Sequence, residues 1–140
     1  MEVNFGKRPP FTIGVEEEVG PHPQVKAELL KSTLEVANID QSSTITVTCT
    51  TGAAYNVGLD GGGSGNINAR RMINGTNNVG YQLYSNSART NVWGNTVGTD
   101  TVAGSGNGTS QTLTVYGRVP PQTTPVAAVY NDTVNVTVTY

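Results

Sequence analysis

Lysine and glutamate are both missing from residues 41–140 of this 140-residue chain, where the only charges are Arg70, Arg71, Arg89, Arg118, Asp60, Asp100 and Asp132. The whole chain holds eight basic residues, scattered along its length, so no surface for counterion release from nucleic acid is expected. No apolar run approaches the roughly 18–20 residues of a membrane-spanning helix, so no membrane span is expected. The start, Met1-Glu2-Val3-Asn4, has neither a basic beginning nor an apolar stretch, and a secretory signal is not expected in these residues. Cys49 is the sole cysteine, which excludes an internal disulfide, and no CxxC or Cys/His cluster offers zinc ligands. Beside Val47 in an alternating run, it reads as a small buried hydrophobe rather than a nucleophile.

Catalytic constellations are equally scarce. Ser, Asp and His occur, but no GxSxG turn presents a nucleophile. His22 is the only histidine and lies between Pro21 and Pro23, with no partner to orient it as a base. Glu16-Glu17-Glu18 is the one acidic cluster; on a strand only Glu16 and Glu18 would share a face, so a solvated charge run is the better reading than a metal site. The run Gly61-Gly62-Gly63-Ser64-Gly65 lacks the Lys-Ser/Thr of a phosphate loop and reads as a flexible connection. No catalytic residue, metal or cofactor is expected.

What is abundant is Gly, at 17 residues, together with Thr, Asn and Val. Thr and Val are β-branched and suit a pleated surface, while Gly and Asn supply turns needing positive φ. Strict alternation appears in Thr44-Ile45-Thr46-Val47-Thr48-Cys49-Thr50, with Ile45, Val47 and Cys49 on one face. Tyr55, Val57 and Leu59 repeat the period, as do Val79, Tyr81 and Leu83, and then Leu113, Val115, Gly117 and Val119. The chain closes with Val134, Val136, Val138 and Tyr140 on one face and Thr133, Asn135, Thr137 and Thr139 on the other. Short strands with one wet face, separated by Gly/Asn/Pro turns, predict an all-β antiparallel sandwich.

The charge break near Ala37-Asn38-Ile39-Asp40 divides the chain into an atypical N-terminal segment, residues 1–38, and a sandwich domain, residues 39–140. In the first part Val3 and Phe5 alternate, then Phe11, Ile13 and Val15. Residues 24–37 contain good helix formers, with Val25, Leu29 and Leu30 spaced for one helical face, and predict a short helix.

Residues 42–140 resemble the spore coat protein U domain of archaic chaperone–usher pilus subunits. The resemblance is carried in order by Ile45-Thr46-Val47-Thr48-Cys49, Arg70-Arg71-Met72, Tyr81-Gln82-Leu83-Tyr84, Ala88-Arg89-Thr90-Asn91-Val92-Trp93-Gly94 and Leu113-Thr114-Val115-Tyr116-Gly117-Arg118. It implies an immunoglobulin-like sandwich that is incomplete, with an open edge filled first by a periplasmic chaperone and then, after passage through an usher, by a neighbouring subunit's strand. Val134, Val136, Val138 and Tyr140 would flank that partner-strand groove, and Phe11, Ile13 and Val15 would form a donor or first strand. The family's earlier cysteine, which pairs with the position of Cys49, has no counterpart here. Residues 11–37 also resemble fragments of the glutamate–cysteine ligase, or carboxylate–amine ligase, family, through Phe11-Thr12-Ile13-Gly14-Val15-Glu16-Glu17-Glu18 and the stretch from Val25 to Ala37. The rest of such an enzyme is absent, so the resemblance implies an inactive fragment.

The expected function is a non-enzymatic structural subunit of a cell-surface pilus or coat, on a route from periplasm to cell surface. The alternatives are the inactive ligase fragment and a glycan-binding adhesion module. The latter would use the Thr/Asn surface with Trp93 as a stacking platform.

Overall fold

The computed structural model describes residues 2–5, 11–17, 23–29, 38–123 and 128–140. Their strands are β1 (Glu2–Phe5), β2 (Phe11–Glu17), β3 (Pro23–Leu29), β4 (Ile39–Thr48), β5 (Ala54–Leu59), β6 (Arg71–Asn74), β7 (Asn77–Gly80), β8 (Gln82–Tyr84), β9 (Val102–Ser105), β10 (Ser110–Val119), β11 (Val129–Thr133) and β12 (Val136–Thr139). Three antiparallel sheets result, in the orders β1-β4-β10-β8, β2-β3-β11-β6-β7 and β12-β5-β9. No sheet closes into a barrel, and the architecture is the all-β, immunoglobulin-like sandwich expected from the alternation.

The longest ladder joins β4 to β10, from Ser110↔Thr48 to Val119↔Ile39. Its alternation works as read: Ile45 and Val47 from β4 and Val115 and Val119 from β10 are buried, while Thr44, Thr46 and Thr48 are not. Tyr55, Val57, Leu59, Val79, Tyr81 and Leu83 join the same core. Trp93 is fully buried in it, and its indole N–H donates to Val57 O at 2.7 Å. Each such side chain contributes about 1.5–3 kcal/mol of gross hydrophobic stabilisation. Cys49 is a free thiol, half-buried at the end of β4 and packed against the core.

On the outer face Arg118 grips Asp40 through two bonds, Nε to Oδ1 at 2.7 Å and Nη2 to Oδ2 at 3.0 Å, across the register pair Arg118↔Asp40. That hydrogen bond holds the Asp40 carboxyl below its ordinary value. The β6–β7 hairpin turns at Gly75 and Thr76, with Asn74 opposite Asn77. Gly75 has φ 58°, which gives the first central residue of this two-residue turn the left-handed conformation a hairpin of this kind needs.

One expectation is overturned. Residues 24–29 lie in strand β3, not in a helix; residues 30–37 of the expected helix fall outside the described residues. β3 pairs with β2 from Phe11↔Leu29 to Glu17↔Pro23, and with β11 from Val129↔Glu28 to Thr133↔Gln24. Val25, Ala27 and Leu29 also fit a period of two. Ladders on both sides outweigh helix propensities that differ by only tenths of a kcal/mol per residue.

Leu59 is fully buried beside Val57 and Trp93. Leu59→Ala should therefore lower unfolding stability by about 2–5 kcal/mol, read from urea denaturation followed by tryptophan fluorescence. A shift within the noise of the wild-type midpoint would place Leu59 outside the working core.

Candidate functional site

The C-terminal run is a single stretch of extended chain that changes sheets. β11 lies between β3 and β6, whereas β12 lies beside β5. The break falls at Val134-Asn135, and two aspartates hold it. Asp60 Oδ1 accepts from the backbone N–H of Gly62 and of Asn135, each at 2.9 Å, and its Oδ2 accepts from Asn135 Nδ2 at 2.7 Å. Asp132 Oδ1 accepts from the N–H of Gly63 at 2.7 Å and of Thr133 at 3.0 Å, and its Oδ2 accepts from the Tyr81 hydroxyl at 2.6 Å.

The glycine run is therefore ordered rather than slack. Gly62–Ser64 forms a 3₁₀ turn bonded to both carboxylates. Gly62 sits at φ 63° with its Cα hydrogen side against the Asp132 carboxylate, so that a Cβ there would collide with it. Burial pushes the Asp132 carboxyl above its ordinary value, against the opposing pull of the Tyr81 and backbone hydrogen bonds. Burial first, and then the neighbouring Asp132, hold the Tyr81 phenol well above its own ordinary value, which keeps it a donor.

Beneath this junction lies Arg70, 1% exposed. Its Nη2 donates to Leu59 O at 3.0 Å, Asp60 O at 2.8 Å and Trp93 O at 2.7 Å. Its Nε donates to Asp60 O at 3.0 Å, and its Nη1 to Gln82 Oε1 at 2.6 Å. Desolvation draws the guanidinium below its ordinary value, but a group that starts so high stays charged.

The sequence-predicted groove residues are not placed alike. Val134 is buried in the core at the sheet change; Val136 and Val138, on β12, are half-buried and packed against the core. Tyr140 lies past the end of β12 and is 94% exposed, so it does not share their environment. β12 pairs with β5 from Val136↔Leu59 to Thr139↔Asn56. Among the described residues no strand lies on its other side. Phe11, Ile13 and Val15 are on β2, at the edge of another sheet and paired with β3.

An open cleft of about 740 Å³ beside the glycine turn is lined by Asp60, Asn74, Asn131 and Asp132 among others, but both carboxylates are engaged within the fold. No group of three potential metal ligands occurs among the described residues. Glu16 and Glu17 lie on β2, and Glu18 and His22 fall outside the described residues. Trp93 offers no exposed ring, which removes the platform of the glycan-binding reading. No described helix is long and apolar enough to cross a membrane.

The sequence pattern gives Tyr81 only a place on an alternating strand and assigns no hydrogen-bonding role to it or to Asp60, Arg70 or Asp132. A signal was available: residues 41–140 hold only seven charged side chains, and any of these that is buried must be paired or hydrogen-bonded.

Among the described residues the chain is an immunoglobulin-like sandwich whose last strand, β12, is paired on one flank only. The chain belongs to the Spore Coat Protein U domain family, whose profile matches residues 4–137. That is a family of structural pilus and coat subunits rather than of enzymes. The match opens ahead of the composition break near residue 38, and nothing supports the ligase resemblance of residues 11–37. No curated protein matches the chain.

Arg70→Met should cost at least about 3 kcal/mol, because it leaves four acceptor groups without their donor in the interior; a urea midpoint near wild type would refute this. Asp132 gives a signed pH test. Its folded value is raised, so its contribution is fully present below its unfolded value near 3.8 and is lost as pH rises through the folded value. The stability of wild type relative to Asp132→Asn should fall with rising pH across that window, and a rise would contradict the burial argument.

Proposed function

We propose that this chain is a structural subunit that assembles by strand addition along the open flank of β12, as part of a surface pilus or coat. The observation that carries this reading is the C-terminal strand itself. β12 is paired on one side by β5 and carries Val136 and Val138 half-buried on the core. An incoming strand would satisfy the backbone groups of that flank and place alternate apolar residues over Val136 and Val138. The exposed Tyr140 ring would extend the contact at its far end.

Membership of the family supports a neighbouring subunit as the occupant, with a periplasmic chaperone holding the flank first and an usher delivering the subunit outward. On this reading the donor is an N-terminal strand of the neighbour that presents Phe11, Ile13 and Val15 at alternate positions. Residues 1–38 then act as an arm and residues 39–140 as the receiving body. No part of this scheme calls for a cofactor or a catalytic group.

The test is association measured by light scattering, with boiled and unboiled samples compared on an SDS gel. Wild type should form heat-sensitive oligomers as concentration rises. Val136→Lys puts a charge where a partner's apolar residue would lie, and should weaken association about tenfold or more. Its urea midpoint serves as the control for folding. Undiminished association of a folded Val136→Lys protein would remove β12 as the receiving edge.

A further inference from the structure

We propose that the β2–β3 hairpin is a built-in cap on the receiving strand, and that it must leave before a second copy of the chain can dock along the full length of that strand. This rests on the strand-addition reading above and adds its regulation.

The argument is one of flanks. Asn135 presents both its N–H and its C=O to Asp60, which immediately follows β5: its N–H donates to Asp60 Oδ1 and its O accepts from Asp60 N at 3.1 Å. Four residues upstream, and so with the same strand parity, Asn131 pairs with Ile73 of β6. β5 and β6 thus follow one another along a single flank of the C-terminal run. β3 pairs with β11 on the side away from β6. That side continues directly into the unpaired side of β12. The receiving flank is therefore half closed by the chain's own residues, antiparallel from Thr133↔Gln24 to Val129↔Glu28, and half open along Val136–Thr139.

The cap is an exchangeable element in form. It is a hairpin that follows β1, which pairs with β4 from Glu2↔Thr46 to Phe5↔Ser43, and β2 forms the outer edge of its sheet. The covered strand is also imperfectly satisfied, since Asn131 Oδ1 is buried there without a hydrogen-bond partner. A closed cap lowers the receptive fraction and so weakens apparent association by that fraction.

The test uses the full chain carrying Glu28→Cys and Val129→Cys in a Cys49→Ala background. Glu28 and Val129 are register partners, within the separation a disulfide bridges, and Val129 is 44% exposed, so the core is spared. The expected result is an intrachain bond on dilute oxidation, with the linked protein monomeric by light scattering at concentrations where the reduced protein associates. Equal association of linked and reduced protein overturns the cap and leaves strand addition standing. A reduced protein that never associates overturns both. A bond that forms only between copies, or not at all, overturns the closed resting state. Val25→Pro with Lys26→Pro removes consecutive N–H groups, so one facing β11 is lost whichever way the strand is turned. That protein should reach half-association at about tenfold lower concentration, and an unchanged or higher value counts against the cap.

Discussion

The Arg70 guanidinium is the constraint on which the rest of the described structure leans. Burying a charge costs several kcal/mol even after relaxation, and the fold offsets this by turning carbonyls from separate segments toward one side chain. Leu59 O and Asp60 O come from the end of β5, Trp93 O from the loop after β8, and Oε1 from Gln82 of β8. Those segments belong to different sheets. One planar group with five donors can satisfy them at once, which a lysine could not do with the same geometry. The Trp93 bond to Val57 O then ties the same region to the centre of β5.

From that fixed point the two aspartates set the path of the C-terminal run. Asp60 holds Asn135 and the glycine turn, while Asp132 holds the same turn and the Tyr81 hydroxyl. The glycine turn works as a bridge between them, because two consecutive N–H groups, Gly62 and Gly63, can approach the carboxylates without a side chain in the way. The chain can then leave one sheet at Thr133 and enter another at Val136. The other flank of β12 is open among the described residues because the β3 ladder stops at Thr133↔Gln24. The family to which the chain belongs is one of structural pilus and coat subunits.

Most of the core was legible in residue order. Ile45, Val47, Tyr55, Val57, Leu59, Val115 and Val119 alternate with Thr, Asn and other small or polar neighbours, and a period of two has few other solutions. The face of the closing run was read less well. Val134, Val136, Val138 and Tyr140 alternate evenly on paper, yet the sheet change at Val134-Asn135 and the chain's departure beyond Thr139 give them three different environments. The head was misread for a related reason. Gln24, Lys26, Ala27, Glu28 and Leu29 favour helix slightly, and nothing nearby reveals that β2 and β11 will lie on either side.

Local chemistry determined what needs only neighbours along the chain. The strand content and the sandwich class follow from spacing and side-chain type. Tertiary structure decided whatever depends on partners far away in sequence. Arg70 meets Trp93 across 23 residues, Asp60 meets Asn135 across 75, and Asp132 meets Gly63 across 69. Hydrogen bonds between such distant groups leave no periodic trace, because their cost and benefit are settled only when the chain closes on itself. The unpaired flank of β12 belongs to this second kind, because it depends on which of the described strands found partners.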